Sequence, residues 1–204
     1  LHYSRVLLRN STLAFTTIPG ASGAPTTYTG TSGVDVIDIQ NVASAVSLNG
    51  DAGNDLITYQ SFTNLVTNYS LRGGQGNDSI NPSAAGTVLG VGSFINGNLG
   101  DDLIGATTPV IASGASVLGG QGNDTIRMGS TTNSFLAGNQ GNDIISATAV
   151  SSSSIWGGQG RDTITTTGNL TSASIQGNLG VDSINIDAAT VTTSNISAGD
   201  GDDF

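Results

Sequence analysis

Leu71-Arg72-Gly73-Gly74-Gln75-Gly76-Asn77-Asp78-Ser79-Ile80 is the stretch that decides the fold, because the chain keeps returning to it. Reduced to its fixed positions it reads apolar, spacer, Gly, two variable residues, Gly, one variable residue, Asp, spacer, Ile. Nine copies place the acid at Asp35, Asp55, Asp78, Asp102, Asp124, Asp143, Asp162, Asp182 and Asp203, at intervals of 20, 23, 24, 22, 19, 19, 20 and 21 residues. A period near 21 residues marks a solenoid in which each repeat makes one coil. A Gly-rich turn ending in Asp on every coil then builds a column of acidic turns, which are candidate metal sites.

Comparison among the copies shows what one coil needs. The fourth loop position is Gly in all nine, and the first is Gly in eight, Ala198 being the exception. Such turns call for positive φ or close backbone approach, which Gly supplies at least cost. Two residues after the Asp stands Ile37, Ile57, Ile80, Ile104, Ile126, Ile145, Ile164 or Ile184; two before the first Gly stands Tyr28, Leu48, Leu71, Ile95, Val117, Leu136, Ile155, Ile175 or Ile196. Stacked in register, these columns form two apolar ladders facing one interior. The segments between, such as Ser146-Ala147-Thr148-Ala149-Val150, hold small and β-branched residues and absorb the variation in length. Each coil is therefore expected to contain two short strands, one tight Gly-Asp turn and one plainer turn. At about 4.8 Å per coil, nine coils would make a rod roughly 43 Å long.

Composition supports an all-β chain. Its 204 residues include 30 Gly; the 15 acidic residues are all Asp and the 5 basic ones all Arg, with no Glu or Lys to favour helices. The formal charge of −10 falls largely in the loops and points to cations as partners. So few basic residues argue against nucleic acid. No apolar run reaches the roughly 20 residues of a membrane span. With 0 Cys, disulfides contribute nothing, and stability must come from stacking or metal.

The loops resemble the RTX, or hemolysin-type, calcium-binding repeat, G-G-x-G-x-D followed by spacer, large apolar residue and spacer. Gly73–Ile80, Gly119–Ile126 and Gly157–Ile164 match at every defined position. The other copies place Thr31, Asp51, Asn98, Asn139 or Asn178 at the second Gly, or begin with Ala198. The resemblance covers residues 28–204. It implies a right-handed parallel β-roll, a β-solenoid whose calcium ions lie between the loops of successive coils. By the family's pattern the nine motif Asp supply carboxylate oxygen. Loop backbone, including Gly73, Gly76, Gly119, Gly122, Gly138, Gly141, Gly157 and Gly160, supplies carbonyl oxygen. Calcium takes six to eight oxygens, more than one turn offers, so two stacked turns must share an ion. The family's repeats come back to back every nine residues, whereas here the phrase occurs once per coil. Calcium is therefore expected along one edge, with a metal-free second edge. Eight ions between nine loops would move the charge from −10 to about +6, so some sites should be weak or empty. The candidates for weakness adjoin Val34, Arg161 and Val181, which replace Asn or Asp before the motif acid.

Residues 1–27 carry no phrase and are expected to cap the first coil or to dock onto another copy. The array is expected to continue past residue 204. His2, the only His, is not a credible catalyst, and Trp156 should point away from the core as a sugar platform or interface anchor. The stray acids Asp38 and Asp187 do not suggest acid–base catalysis, so no enzyme is expected. Ice binding by a Thr-rich face is disfavoured by coils of 19 to 24 residues. The expected function is a calcium-stabilised extracellular structural or adhesive protein, part of a surface layer, filament or appendage, with copies of itself or other surface proteins as partners. The alternative is a calcium-triggered folding and secretion module of a larger secreted enzyme or toxin.

Overall fold

The computed structural model describes residues 5–10, 16–19, 26–40, 45–60, 65–82, 86–105, 110–188 and 190–204. They form a parallel β-solenoid of about eight turns, all β-strand and turn with no helix. The first face is a nine-stranded parallel ladder of the segments that enter the Gly-Asp loops, from Thr26–Thr29 to Asn195–Asp200. Each loop leads into a strand of the second face, which runs from Asp35–Gln40 to Ser183–Ile186. Among the described residues each coil from Val46 to Thr192 also has a third strand, often of only two residues, as in Val88–Leu89, Val150–Ser151 and Leu170–Thr171. The expectation of two strands per coil is therefore corrected to three. The missed strands are too short to show an alternating pattern. Thr125–Thr132 passes unbroken from the second face to the third and joins the two into one sheet.

Stacking is in strict register where the sequence predicts it. Leu71, Ile95, Val117, Leu136, Ile155 and Ile175 lie opposite one another along the first face, as Ile57 to Ile184 do along the second. Both columns are buried until the last coils, where Ile196 is exposed because no coil among the described residues lies over it. A third column, Val66, Leu89, Ala112, Thr131, Val150 and Leu170, is equally buried. Alternate residues point outward, so each strand contributes only one or two large side chains to the interior. The segments 41–44, 61–64, 83–85 and 106–109 lie outside the described residues.

The second corner is turned without metal motifs. Asn68, Asn133, Ser152, Ser172 and Thr193 adopt left-handed φ of 49–55°, and Gly92 and Gly114 occupy the same place in their coils. Asn68 is followed by the large buried Tyr69, and from Gly92 to Ser172 the next residue is a small buried Ser or Ala. The Ser153 hydroxyl donates to the Ser151 carbonyl at 2.8 Å and accepts the Ser134 N–H at 3.0 Å. Ser134 repeats this one coil earlier with Thr132 and Ala115. Strand Arg5–Asn10 pairs antiparallel with Asp35–Gln40, and Thr16–Pro19 pairs antiparallel with Arg5–Asn10. The first edge of the second face is thus covered by a hairpin.

Candidate metal centre

The Gly-Asp loops stack into a single column along the corner between the first and second faces. Three backbone requirements place them there. Position two of the loop is left-handed, with φ of 79° at Asp51, 81° at Asn98, 84° at Asn139 and 82° at Asn178. Apart from Gly, only Asn and Asp visit that region at modest cost, which explains the substitutions seen there. Position four is Gly throughout; at Gly141, φ is 125° and an added Cβ would overlap the Gly122 carbonyl oxygen of the preceding coil. At position one the ladder pairing skips a residue, passing from Leu118↔Ala137 to Gly120↔Asn139.

The motif Asp side chains fold inward and are almost fully buried from Asp35 to Asp182. From Asp55 to Asp203, each Oδ1 accepts the backbone N–H of the motif Asp one coil earlier. Asp102 donates to Asp124, Asp124 to Asp143 and Asp143 to Asp162, at 2.7–2.8 Å. The other oxygen is left over. Oδ2 of Asp55, Asp78, Asp102, Asp124, Asp143, Asp162 and Asp182 is buried without any hydrogen-bond partner. One such orphan costs on the order of 1–3 kcal/mol, more when charged. Seven in a column at coil spacing call for a common partner.

The space beside them has the right lining for a hard cation. A Cβ placed on Gly97 would overlap Asp102 Oδ2 and come within 2.6 Å of the Gly119 carbonyl oxygen of the next coil. Gly50, Gly73, Gly157 and Gly177 show the same pairing of their own loop's Oδ2 with the next coil's carbonyl. Among the described residues no three carboxylates or imidazoles converge. An ion here would thus be held by backbone carbonyls together with carboxylates from stacked loops, an all-oxygen donor set suited to Ca²⁺. The residues fit the group: Asp55 to Asp182 with the carbonyls of the first loop position would hold it, and bound Ca²⁺ would supply the positive charge that lets the carboxylates stay ionised.

Electrostatics point the same way. Burial, the largest cause, pushes the Asp124 carboxyl up to about 8 and those of Asp102 and Asp143 up to about 7. It pushes Asp55, Asp78 and Asp162 up to about 6 and also raises Asp182. The hydrogen bond from the preceding coil opposes this, and neighbouring carboxylates reinforce it. Without a cation these groups hold protons far more tightly than exposed Asp does.

The predicted ligands do not all behave alike. In the first loop, Asp35 Oδ2 already accepts the Thr31 N–H at 2.5 Å and the Thr31 hydroxyl at 3.0 Å. Thr31, at the place of the second Gly, thus satisfies an oxygen that the other loops leave free. The loops of Arg161 and Val181, expected to be weak, keep the inner geometry: Asp162 and Asp182 present the same bonded Oδ1 and orphan Oδ2. What those two positions interrupt is an outer ladder. Asn77 N–H donates to Asn54 Oδ1, Asp101 to Asn77, Asn123 to Asp101 and Asn142 to Asn123, at 2.6–3.0 Å. Arg161 donates to Asn142 and ends the series, its guanidinium lying 5.6 Å over the Phe204 ring. The outer ladder points toward the preceding coil and the inner one toward the following coil, so each loop is tied to both neighbours. The Ser corner across the coil was missed in the sequence; its signal is a Ser or Ala two residues before the inward apolar residue of the first-face strands from Ile95 to Ile196, a place held by Val46 and Tyr69 in the two coils before them.

The model of the RTX calcium-binding nonapeptide repeat matches the chain in four copies, over residues 43–64, 70–83, 118–149 and 152–168. Among solved structures, the chain is similar to a hyperactive, Ca²⁺-dependent, β-helical antifreeze protein from an Antarctic bacterium, with a TM-score of 0.55 over 89% of this chain at 19% identity. It spans 64% of the length of that structure, and at this identity the likeness is one of fold. No curated protein sequence matches the chain.

Proposed function

From a calcium-stabilised chain built of RTX nonapeptide repeats, we propose an extracellular rod with a structural or adhesive task, serving in a surface layer, filament or appendage. One observation carries this: seven buried carboxylate oxygens without a partner stand in a row at the interval of the coils. Charge at those positions is tolerable only beside a cation. The rod therefore becomes rigid where Ca²⁺ is abundant, which is outside the cell rather than within it. The remaining features suit a building element without catalysis of its own. Asp38, bonded by the Thr58 hydroxyl at 2.7 Å, and Asp187 are the acids away from the loops, and they sit on opposite ends of the stack. The hairpin of Arg5–Asn10 and Thr16–Pro19 serves as a cap on the first coil. Among the described residues no helix is long and apolar enough to cross a membrane.

Antifreeze activity, the property named for the similar structure, is not carried over. Coil length does not disturb the first face, whose register is unbroken from Ser47 to Asp200. The outward positions, however, alternate without rule among Phe94, Ser116, Phe135, Asn96, Leu118 and Trp156. Such a face lacks the uniform small hydroxylated surface that an ice lattice would match.

Two measurements test the proposal. Far-ultraviolet circular dichroism during calcium titration should show the fold appearing with the ion; an equally folded, equally heat-stable protein in excess chelator would remove the metal argument. Electron microscopy of the calcium-loaded chain should show ordered assemblies or attachment to a surface. A calcium-dependent fold that stays monomeric and attaches to nothing would leave the other role, a folding and secretion module of a larger secreted enzyme or toxin.

A further inference from the structure

The outer surface of the first face carries a trough that the calcium column does not explain. Two open hollows of about 430 and 340 Å³ lie end to end along it and share Asn139 and Gln140. On the loop side the wall is built by Gln121, Gln140 and Gln159, which face one another in direct register, one per coil. Their side-chain amides are exposed and make no hydrogen bond to other described residues. Beside Gln159 stands Trp156, 39% exposed. Its ring is held edge-on against Phe135, with centroids 4.9 Å apart and planes at 89°. Every residue lining the two hollows is uncharged.

Each of these features selects a ligand chemistry. A carboxamide offers donors and an acceptor together and so matches a hydroxyl, which also does both. A fixed, partly exposed indole offers a flat apolar surface with a polar edge, suited to the C–H face of a sugar ring. Uncharged walls on a chain of net charge −10 disfavour a polyanion. The repeat of one amide per coil, roughly every 4.8 Å, calls for a ligand whose hydroxyls recur along its own length. Five coils contribute to the trough, from Asn96 to Leu179, which gives a run of roughly 19 Å. We propose that the trough binds an uncharged linear polysaccharide laid along the rod axis, with Trp156 stacked on one sugar and Gln121, Gln140 and Gln159 bonded to hydroxyls of successive sugars. This goes beyond the structural role and does not depend on it, since it requires only the folded, calcium-loaded rod.

Trp156 is the only Trp in the chain, so its fluorescence reports on the trough directly. The calcium-loaded protein is titrated with neutral β-1,4-glucan, β-1,3-glucan and mannan oligosaccharides of two to six sugars, and with oligogalacturonate of the same lengths. At least one neutral series should shift the emission, with dissociation constants on the order of 0.1 mM that tighten as the oligomer lengthens and spans more coils. Oligogalacturonate should have no effect. In affinity electrophoresis through the matching polysaccharide, Trp156→Ala should bind roughly tenfold more weakly, the weight of one stacked ring. Gln140→Ala keeps the fluorescent reporter and should bind several-fold more weakly. Both variants should melt like the parent in calcium, which separates loss of binding from loss of fold. The proposal is overturned if no neutral series shifts the emission or retards migration, if Trp156→Ala and Gln140→Ala bind as tightly as the parent, or if only oligogalacturonate binds.

Discussion

Replacing Asp124 by Asn should have opposite effects with and without calcium. The substitution is nearly isosteric, and the remaining Oδ1 can still accept the Asp102 N–H that now bonds to it at 2.8 Å. What changes is Oδ2, the buried and partnerless oxygen beside Gly119, which becomes an uncharged amide nitrogen. With calcium the variant loses an anionic ligand. A single site at 100 to 1,000 times its dissociation constant contributes about 2.7–4.1 kcal/mol. At about 2–4 °C per kcal/mol for a chain of this size, losing one site should lower Tm by roughly 5–16 °C. In chelator the sign reverses. Burial raises the Asp124 carboxyl to about 8, so at pH 8.5 the parent must carry a charge there that the fold disfavours. The variant carries none and should melt a few degrees higher. Thermal melts by circular dichroism at pH 8.5, in millimolar calcium and in excess chelator, give all four values. If Asp124→Asn lowers Tm equally in both media, the carboxylate is only a turn cap and the cation column is refuted.

The other predictions concern the same corner and its counterpart. Without calcium the raised carboxyls of Asp55 to Asp182 bind protons more tightly folded than unfolded. Their contribution is full below the ordinary value of 3.8 and is lost as pH rises through about 6 to 8. The metal-free protein should therefore melt higher at pH 5 than at pH 8; saturating calcium should reverse that slope, because protons compete with the ion. Gly119→Ala introduces no left-handed strain, yet its Cβ would overlap Asp124 Oδ2. Native mass spectrometry in calcium should then count one ion fewer than in the parent, and an unchanged count would show that the space beside Gly119 holds none. Ser153→Ala removes the hydroxyl that joins the Ser134 N–H to the Ser151 carbonyl. It should cost about 1–3 kcal/mol to the same extent in calcium and in chelator, measured by denaturant unfolding in both.

What could be read from the sequence was whatever recurs with a side chain attached. The Ile57–Ile80–Ile104 column and its partner on the first face follow from spacing alone, and in the structure Ile57, Ile80 and Ile104 lie in direct register. The motif acids were equally legible, because Gly before and Ile after fix their place in each turn. The third strand was not, since two residues such as Val88–Leu89 carry no period. The sequence marked the Asp35 loop as weak because of Val34, but the feature that sets it apart is the Thr31 hydroxyl on its second oxygen, a contact that one substitution creates and spacing does not show. Arg161 and Val181 suggested failing sites, but the residue before the acid serves the outer ladder, while the inner carboxylate is positioned by the glycines. The serine corner was hidden by composition, because in a chain so rich in Ser and Thr a functional hydroxyl resembles its many neighbours.

The two ladders at the loops impose an order of assembly. The amide of Asp102 is satisfied only by a carboxylate that lies further along the polypeptide, in Asp124, whereas the amide of Asn123 is satisfied by Asp101, already laid down. A chain emerging from its amino end can therefore secure each outer rung at once but must wait one full turn to secure the inner one. Its advancing tip always holds one unfinished cradle, and calcium can lock a turn only after the next has been wound upon it.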